Sequence, residues 1–156
     1  MNSTPPRWYL VKTNLLQHFL RILLGANLLF TGTAHLTFSR VEFLAQVPPW
    51  LPVDGDLVVV LSGIAELAIG LALIIFPRFK VFVGLLAAAF FVAIFPGNIS
   101  QYVNQVDGFG LNTDQARFTR LFFQPVLVLW ALWATGVFQA WKNWRVTRAS
   151  PIPVTK

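Results

Sequence analysis

The stretch LVVVLSGIAELAIGLALIIF, Leu57 to Phe76, constrains the chain more than any other. Its twenty residues carry one charge, Glu66, at the tenth position. A bilayer core about 30 Å thick is crossed by roughly 17–25 apolar residues of helix, so the run is long enough to span. A soluble domain of 156 residues, 56% of them hydrophobic and 12% charged, could not bury so much apolar surface. The surplus must face lipid.

Three further segments read as spans: Leu15 to Leu36, Val81 to Gly97 and Leu121 to Trp141. Together with 57–76 they predict an all-α integral membrane four-helix bundle over residues 15–141, with tails at 1–14 and 142–156. Pro52, Pro77 and Pro96 mark span ends. Pro125 suits the first turn of the fourth helix, or kinks it if that helix starts near Asp114.

The net charge of +6 would suggest nucleic acid in a soluble protein, but the charges are distributed as in a membrane protein. Arg7, Lys12 and Arg21 precede or enter the first span, Arg78 and Lys80 sit between the second and third, and Lys142, Arg145, Arg148 and Lys156 follow the fourth. No acid falls in these regions. The positive-inside rule puts both termini in the cytoplasm, with the plasma (inner) membrane as the location and Arg21 snorkelling to the inner interface. Arg21 and Asn27 interrupt the first apolar run and no cleavage site follows cleanly, so an uncleaved span is expected rather than a signal peptide. Trp8, Trp50, Trp141 and Trp144 fit interfacial belts.

The first outer loop holds Ser39-Arg40-Val41-Glu42, which reads as a capping box opening a short helix, FLAQV; Glu42 as an exposed ligand contact is the alternative. Pro48-Pro49-Trp50-Leu51-Pro52 then forms a stiff hairpin with an apolar tip, an interfacial anchor or a lid over the outer mouth. The 98–120 loop is long enough to be functional, and its chemistry is unspecific.

Intramembrane polar residues are ordered by depth. His35, Asn98 and Gln124 fall nearest the outer surface, Thr31 and Ser62 about a turn deeper, and Asn27 and Glu66 deepest, at a rise of about 1.5 Å per residue. Asn27, Thr31 and His35 are spaced i, i+4, i+8, and Ser62 and Glu66 i, i+4, so two polar faces of neighbouring helices are expected to meet. Glu66 should lie beside Asn27, with His35 reaching it through water. A lipid-facing carboxylate costs about 2.5–3.5 kcal/mol on insertion scales, so it should point inward. There it can stay neutral and donate a hydrogen bond. It can equally be a structural acid joining two helices. Asn27, Thr31 and Ser62 serve as interhelical ties or as ligand contacts, and Asn98 as a contact or as a cap after Pro96-Gly97. Gly25 and Gly32, and Gly63 and Gly70, each seven apart, are expected at close helix contacts. No metal site has enough ligands. No cysteine, nucleophile triad, phosphate loop or dinucleotide fingerprint is present.

Gly32-Thr33-Ala34-His35, VPPWLP from Val47, LSGIAELAIGLAL from Leu61, IFPGNI from Ile94, and Gln124 occur in an order and spacing that resembles the DoxX-like family of small four-span membrane proteins. The resemblance implies a compact four-helix bundle. It also implies a link to membrane redox systems, including quinone-dependent ones, with the family's His, Glu, Asn and Gln falling on His35, Glu66, Asn98 and Gln124. The lack of cysteine excludes a thiol pair within this chain.

The leading functional expectation is a binding subunit for a quinone or other lipid-like small molecule. Glu66 and His35 would meet its polar head; Phe90, Phe91 and Trp130 would line its body, with Trp50 at the mouth. A membrane redox partner or a homo-oligomer fits this expectation. Three other readings compete: a proton-coupled transporter, which a mid-membrane acid suits although no broken helix pair repeats; a non-catalytic assembly or cargo partner; and a lipid-modifying enzyme with Glu66 as acid or base and His35 its partner.

Overall fold

The computed structural model describes residues 9–149, so Arg7, Trp8 and Lys156 lie outside the described residues. The described chain is helical. α1 spans Leu15–Leu36, α2 Arg40–Leu44, α3 Gly55–Ile75, α4 Lys80–Val103, α5 Asp114–Ala134 and α6 Val137–Ala149, with a 3-10 turn at Pro77–Phe79. α1, α3 and the stretch Pro77–Val103 are each long and apolar enough to cross a membrane. α5 and α6 provide a fourth crossing if taken as one span bent by 59°. Leu16, Phe19, Phe30, Leu61, Ile64 and Leu86 are among many large apolar side chains left exposed, the surface that lipid would cover. This is a helical membrane protein.

Local chemistry sets the helix starts. Asn14 accepts from the Gln17 N–H at 2.8 Å and Gln17 returns the bond to the Asn14 N–H, a reciprocal cap. Asp54 caps α3 through the Leu57 N–H, and Thr113 caps α5 through the Ala116 N–H. Gly136, in the left-handed region at φ +79°, ends α5 and turns the chain into α6.

α1 packs along α3 and α4 along α5, with lesser α1–α5 and α3–α4 contacts. Leu24, Leu28, Ile69, Leu73, Ala87, Phe91 and Ala131 form the core between them. The heptad-spaced glycines interlock as expected. A Cβ on Gly70 would lie 2.7 Å from the Gly25 carbonyl oxygen, and one on Gly32 2.8 Å from that of Gly63. The two backbones therefore touch where no side chain intervenes.

Several boundaries differ from the sequence reading. The third helix does not stop at Gly97; it runs through Pro96 to Val103. The fourth starts at Asp114, so Pro125 lies inside it rather than in its first turn, and Gly136 breaks it before Trp141. A proline within a membrane helix is tolerated when neighbours satisfy the freed carbonyls. Gln124 Nε2 donates to the Phe91 carbonyl at 2.6 Å, next to Val92, the carbonyl whose usual partner Pro96 removes.

Arg21 does not snorkel. It is 1% exposed and donates to the Leu73 carbonyl. The residue four places on is Pro77, which has no N–H to offer that carbonyl. The guanidinium replaces the missing donor, at the helix end where a cation is favoured. The short outer helix is Arg40–Leu44, not 43–47, and Ser39 makes no side-chain cap. The Glu42 carboxylate instead accepts from the Phe109 N–H. Phe109 holds φ +55°, a conformation rare for a non-glycine residue, and packs edge-on against Phe43.

Candidate functional site

Between the C-terminal halves of α1 and α4 and the N-terminal halves of α3 and α5 lies a cavity of about 610 Å³. Phe90, Phe91, Ile94, Phe123 and Leu127 give it apolar walls. Trp50 and Leu51, on the turn closed by the Leu51 N–H to Pro48 carbonyl bond, stand at its rim. Arg40 pairs with Asp56 and holds the start of α2 to the start of α3. That hydrogen bond to the carboxylate keeps the Arg40 pKa above its ordinary value.

His35 and Glu66 meet directly, without the water the depth argument supplied. His35 Nδ1 lies 3.2 Å from Glu66 Oε2. In sequence depth the two residues stand well apart. Side chains tilt toward the N-terminus of their own helix, so on the antiparallel α1 and α3 each leans toward the other. The Gly32–Gly63 contact brings the backbones close enough to complete the approach. Nδ1 also lies 2.9 Å from the Thr31 carbonyl oxygen. A carbonyl only accepts, which assigns the proton to Nδ1 and aims it at Thr31. Glu66 Oε2 therefore has a charge contact but no aligned hydrogen bond. The His35 ring stacks on Phe43 at 3.3 Å between centroids, which fixes its plane.

Of the other candidates, Asn98 and Gln124 line the cavity and bond each other, Asn98 Nδ2 donating to Gln124 Oε1 at 3.0 Å. Asn98 is thus a buried interhelical tie, not a cap, because α4 continues past it. Thr31 lines the cavity while its hydroxyl donates to the Asn27 and Leu28 carbonyls. Ser62 lines it half-buried.

Asn27 also lines the cavity but is exposed, not sealed beside Glu66. An i, i+4 row drifts about 40° per step around a helix of 3.6 residues per turn. A row with His35 turned inward therefore leaves Asn27 turned out. Trp130 is not in the lining. It lies six residues beyond Gln124, on another face of α5, and donates to the Leu20 carbonyl at 3.0 Å, tying α5 to α1.

The residue missed from sequence is Arg120. Counted as a loop charge, it sits on α5 one turn before Gln124 and faces the cavity, near enough for the Glu66 charge to act on it. Among the described residues it makes no ion pair or hydrogen bond, and its Nε is sealed from solvent. The Thr113-Asp114 cap and the i, i+4 pair Arg120/Gln124 were the available signals. Arg117, by contrast, is buried and fully engaged with Asp107, Asp114 and the Val106 carbonyl, and so organises the 104–113 loop.

Residues 24–135 match the family described as a domain of unknown function (DUF8561). The chain belongs to this family. The matched DUF8561 segment includes α3, α4 and every polar residue of the cavity. No curated protein and no solved structure matches the chain.

Proposed function

We propose that this protein binds a lipid-like small molecule, a quinone or an amphiphile of similar shape, within the membrane. One observation carries the reading. An apolar-walled cavity of about 610 Å³ is lined by the His35–Glu66 pair and by Arg120. That size falls within the roughly 300–1,000 Å³ typical of small-molecule sites, and apolar walls with a few placed polar groups are their usual form. Phe90, Phe91 and Leu127 take the apolar body, these polar groups take the head, and Trp50 borders the entrance.

In this reading α1, α3, α4 and the α5–α6 pair form a four-helix bundle in the plasma membrane. Both termini and the Pro77–Phe79 turn are cytoplasmic, supported by the basic residues at those ends. The cavity then opens toward the outer leaflet. The resemblance to DoxX-like proteins favours a place beside a membrane redox system, with this chain as the binding subunit.

The test is mass spectrometry of organic extracts from protein purified in lipid nanodiscs. Wild type is compared with Ser62→Phe, which fills the cavity from α3. A specific apolar molecule, stoichiometric in wild type and depleted in the folded variant, is the expected result. The same bulk lipid in both proteins would overturn the proposal.

A further inference from the structure

The cavity contains a mismatch that narrows the ligand. Glu66 is 5% exposed and accepts no hydrogen bond, and the half-buried Arg120 donates none. Both line the same cavity, yet they form no ion pair with each other. A carboxylate only accepts and a guanidinium only donates. Leaving either unpaired away from water is costly. His35 does not resolve the mismatch, because its Nδ1–H is committed to the Thr31 carbonyl. Asn98 and Gln124 do not resolve it either, since they bond each other and the Phe91 carbonyl.

Resting on the binding reading above, we infer that the ligand head is a hydroxyl, as in a phenol, a quinol or an alcohol, placed between Glu66 and Arg120. One hydroxyl donates its proton to the carboxylate and accepts from the guanidinium with its oxygen. Water can bridge such a pair as well, so a ligand hydroxyl takes over the two bonds a water would make and adds the burial of its apolar body. An oxidised quinone presents only carbonyl oxygens, which pair with Arg120 and leave an ionised Glu66 facing another acceptor. A free anion gains from Arg120 but meets the Glu66 charge in the same space. The site therefore discriminates by proton count, favouring the reduced, hydroxyl-bearing form of a redox-active amphiphile over its oxidised form.

The probes are para-decylphenol and its O-methyl ether, para-decylanisole, which share a body and differ in the donor. Binding is measured by titration of the full chain in nanodiscs, with Ser62→Phe as the reference for partition into lipid. Wild type should hold the phenol roughly ten- to a hundredfold more tightly than the ether, the range for a hydrogen bond to a charged group. Glu66→Gln, whose amide both donates and accepts, should collapse that ratio toward one. Arg120→Met should weaken both probes together, because each offers it an oxygen. Equal affinity of the two probes for wild type, with both lost in Ser62→Phe, would overturn the hydroxyl assignment and leave the cavity reading standing. Binding of neither probe, or equal binding to wild type and Ser62→Phe, would overturn both. The wild-type comparison needs no variant to fold.

Discussion

Gly63 is where helix packing and the cavity are the same contact. A Cβ added there would lie 2.8 Å from His35 Cβ, 3.1 Å from the Gly32 carbonyl oxygen and 3.1 Å from Leu36. Carbon atoms pack best at about 3.5–4.0 Å. Two of these neighbours are fixed by the α1 backbone and cannot rotate aside, so α1 must retreat in Gly63→Ala. Overpacking of this kind costs about 1–3 kcal/mol, and the gain in helix propensity from glycine to alanine returns about 1 kcal/mol. The expected net loss is about 1 kcal/mol, read from unfolding in mixed micelles. Gly70→Ala meets the Gly25 carbonyl oxygen at 2.7 Å and should lose a similar amount. It lies two turns from Gly63, about 10 Å along the helix, away from His35. The two variants should therefore match in stability and differ at the site. Only Gly63→Ala moves α1 away at the level of Glu66, which widens the cavity around the carboxylate; a hydroxyl held there loses one well-placed hydrogen bond, so para-decylphenol binding should weaken about tenfold, the equivalent of about 1.4 kcal/mol. Gly63→Ala as stable as wild type, or equal binding losses in both variants, would refute the reasoning.

Arg21→Met should destabilise the protein by about 1–2 kcal/mol, because the Leu73 carbonyl loses its donor. Pro77→Ala supplies an N–H at that position and should reduce the cost, as a double-mutant cycle of unfolding free energies would detect. Gln124→Leu should cost about 1–3 kcal/mol by unpairing the buried Asn98 and removing the second donor to the Phe91 carbonyl, checked by thermal unfolding. Trp130→Phe removes only the bond to the Leu20 carbonyl; it should cost about 1 kcal/mol and leave probe binding unchanged. Glu42→Ala removes the acceptor for the Phe109 N–H and should speed amide exchange at Phe109 and its neighbours in the 104–113 loop, while global unfolding moves by less than about 1 kcal/mol.

What could be read from residues alone followed periodicity. The apolar runs of α1, α3 and α4 were legible because a membrane helix needs length and little else. The Gly25/Gly32 and Gly63/Gly70 pairs were legible because small residues seven apart return to one face. Ser62, Glu66, Asn98 and Gln124 surround the cavity because they share inward faces. The failures were of direction and of continuity. Depth counted along Cα atoms placed His35 above Glu66, whereas their opposed side-chain tilts bring them together. A row counted at i+4 was treated as straight, which misplaced Asn27. Pro96 reads as a helix end, although a neighbouring Gln supports the chain through it, and of the two readings open for Pro125 the one inside a helix from Asp114 holds. Reading Leu121 as the start of the fourth span left Arg120 in a loop, one residue outside the site it completes.

A polar residue inside a membrane is a functional candidate by default, and here hydrogen-bond accounting divides the candidates. Buried backbone groups must be paired, and prolines at 77 and 96 remove donors that α3 and α4 would otherwise use. Arg21 supports the first site and Gln124 the turn beside the second, with Asn98 completing the Gln124 bonds. Gln17 likewise closes the Asn14 cap and donates to the Trp133 carbonyl at 2.7 Å. These side chains are committed to the fold, and replacing them should act first on stability. Glu66 and Arg120 are engaged less: Glu66 meets only His35, and Arg120 makes no hydrogen bond or ion pair among the described residues. Neither holds a backbone group, neither bonds the other, and both line the apolar-walled cavity of about 610 Å³. The carboxylate at the centre of LVVVLSGIAELAIGLALIIF therefore meets His35 alone, and its Oε2 and the Arg120 Nε are the bare polar atoms on which the proposed ligand reading rests.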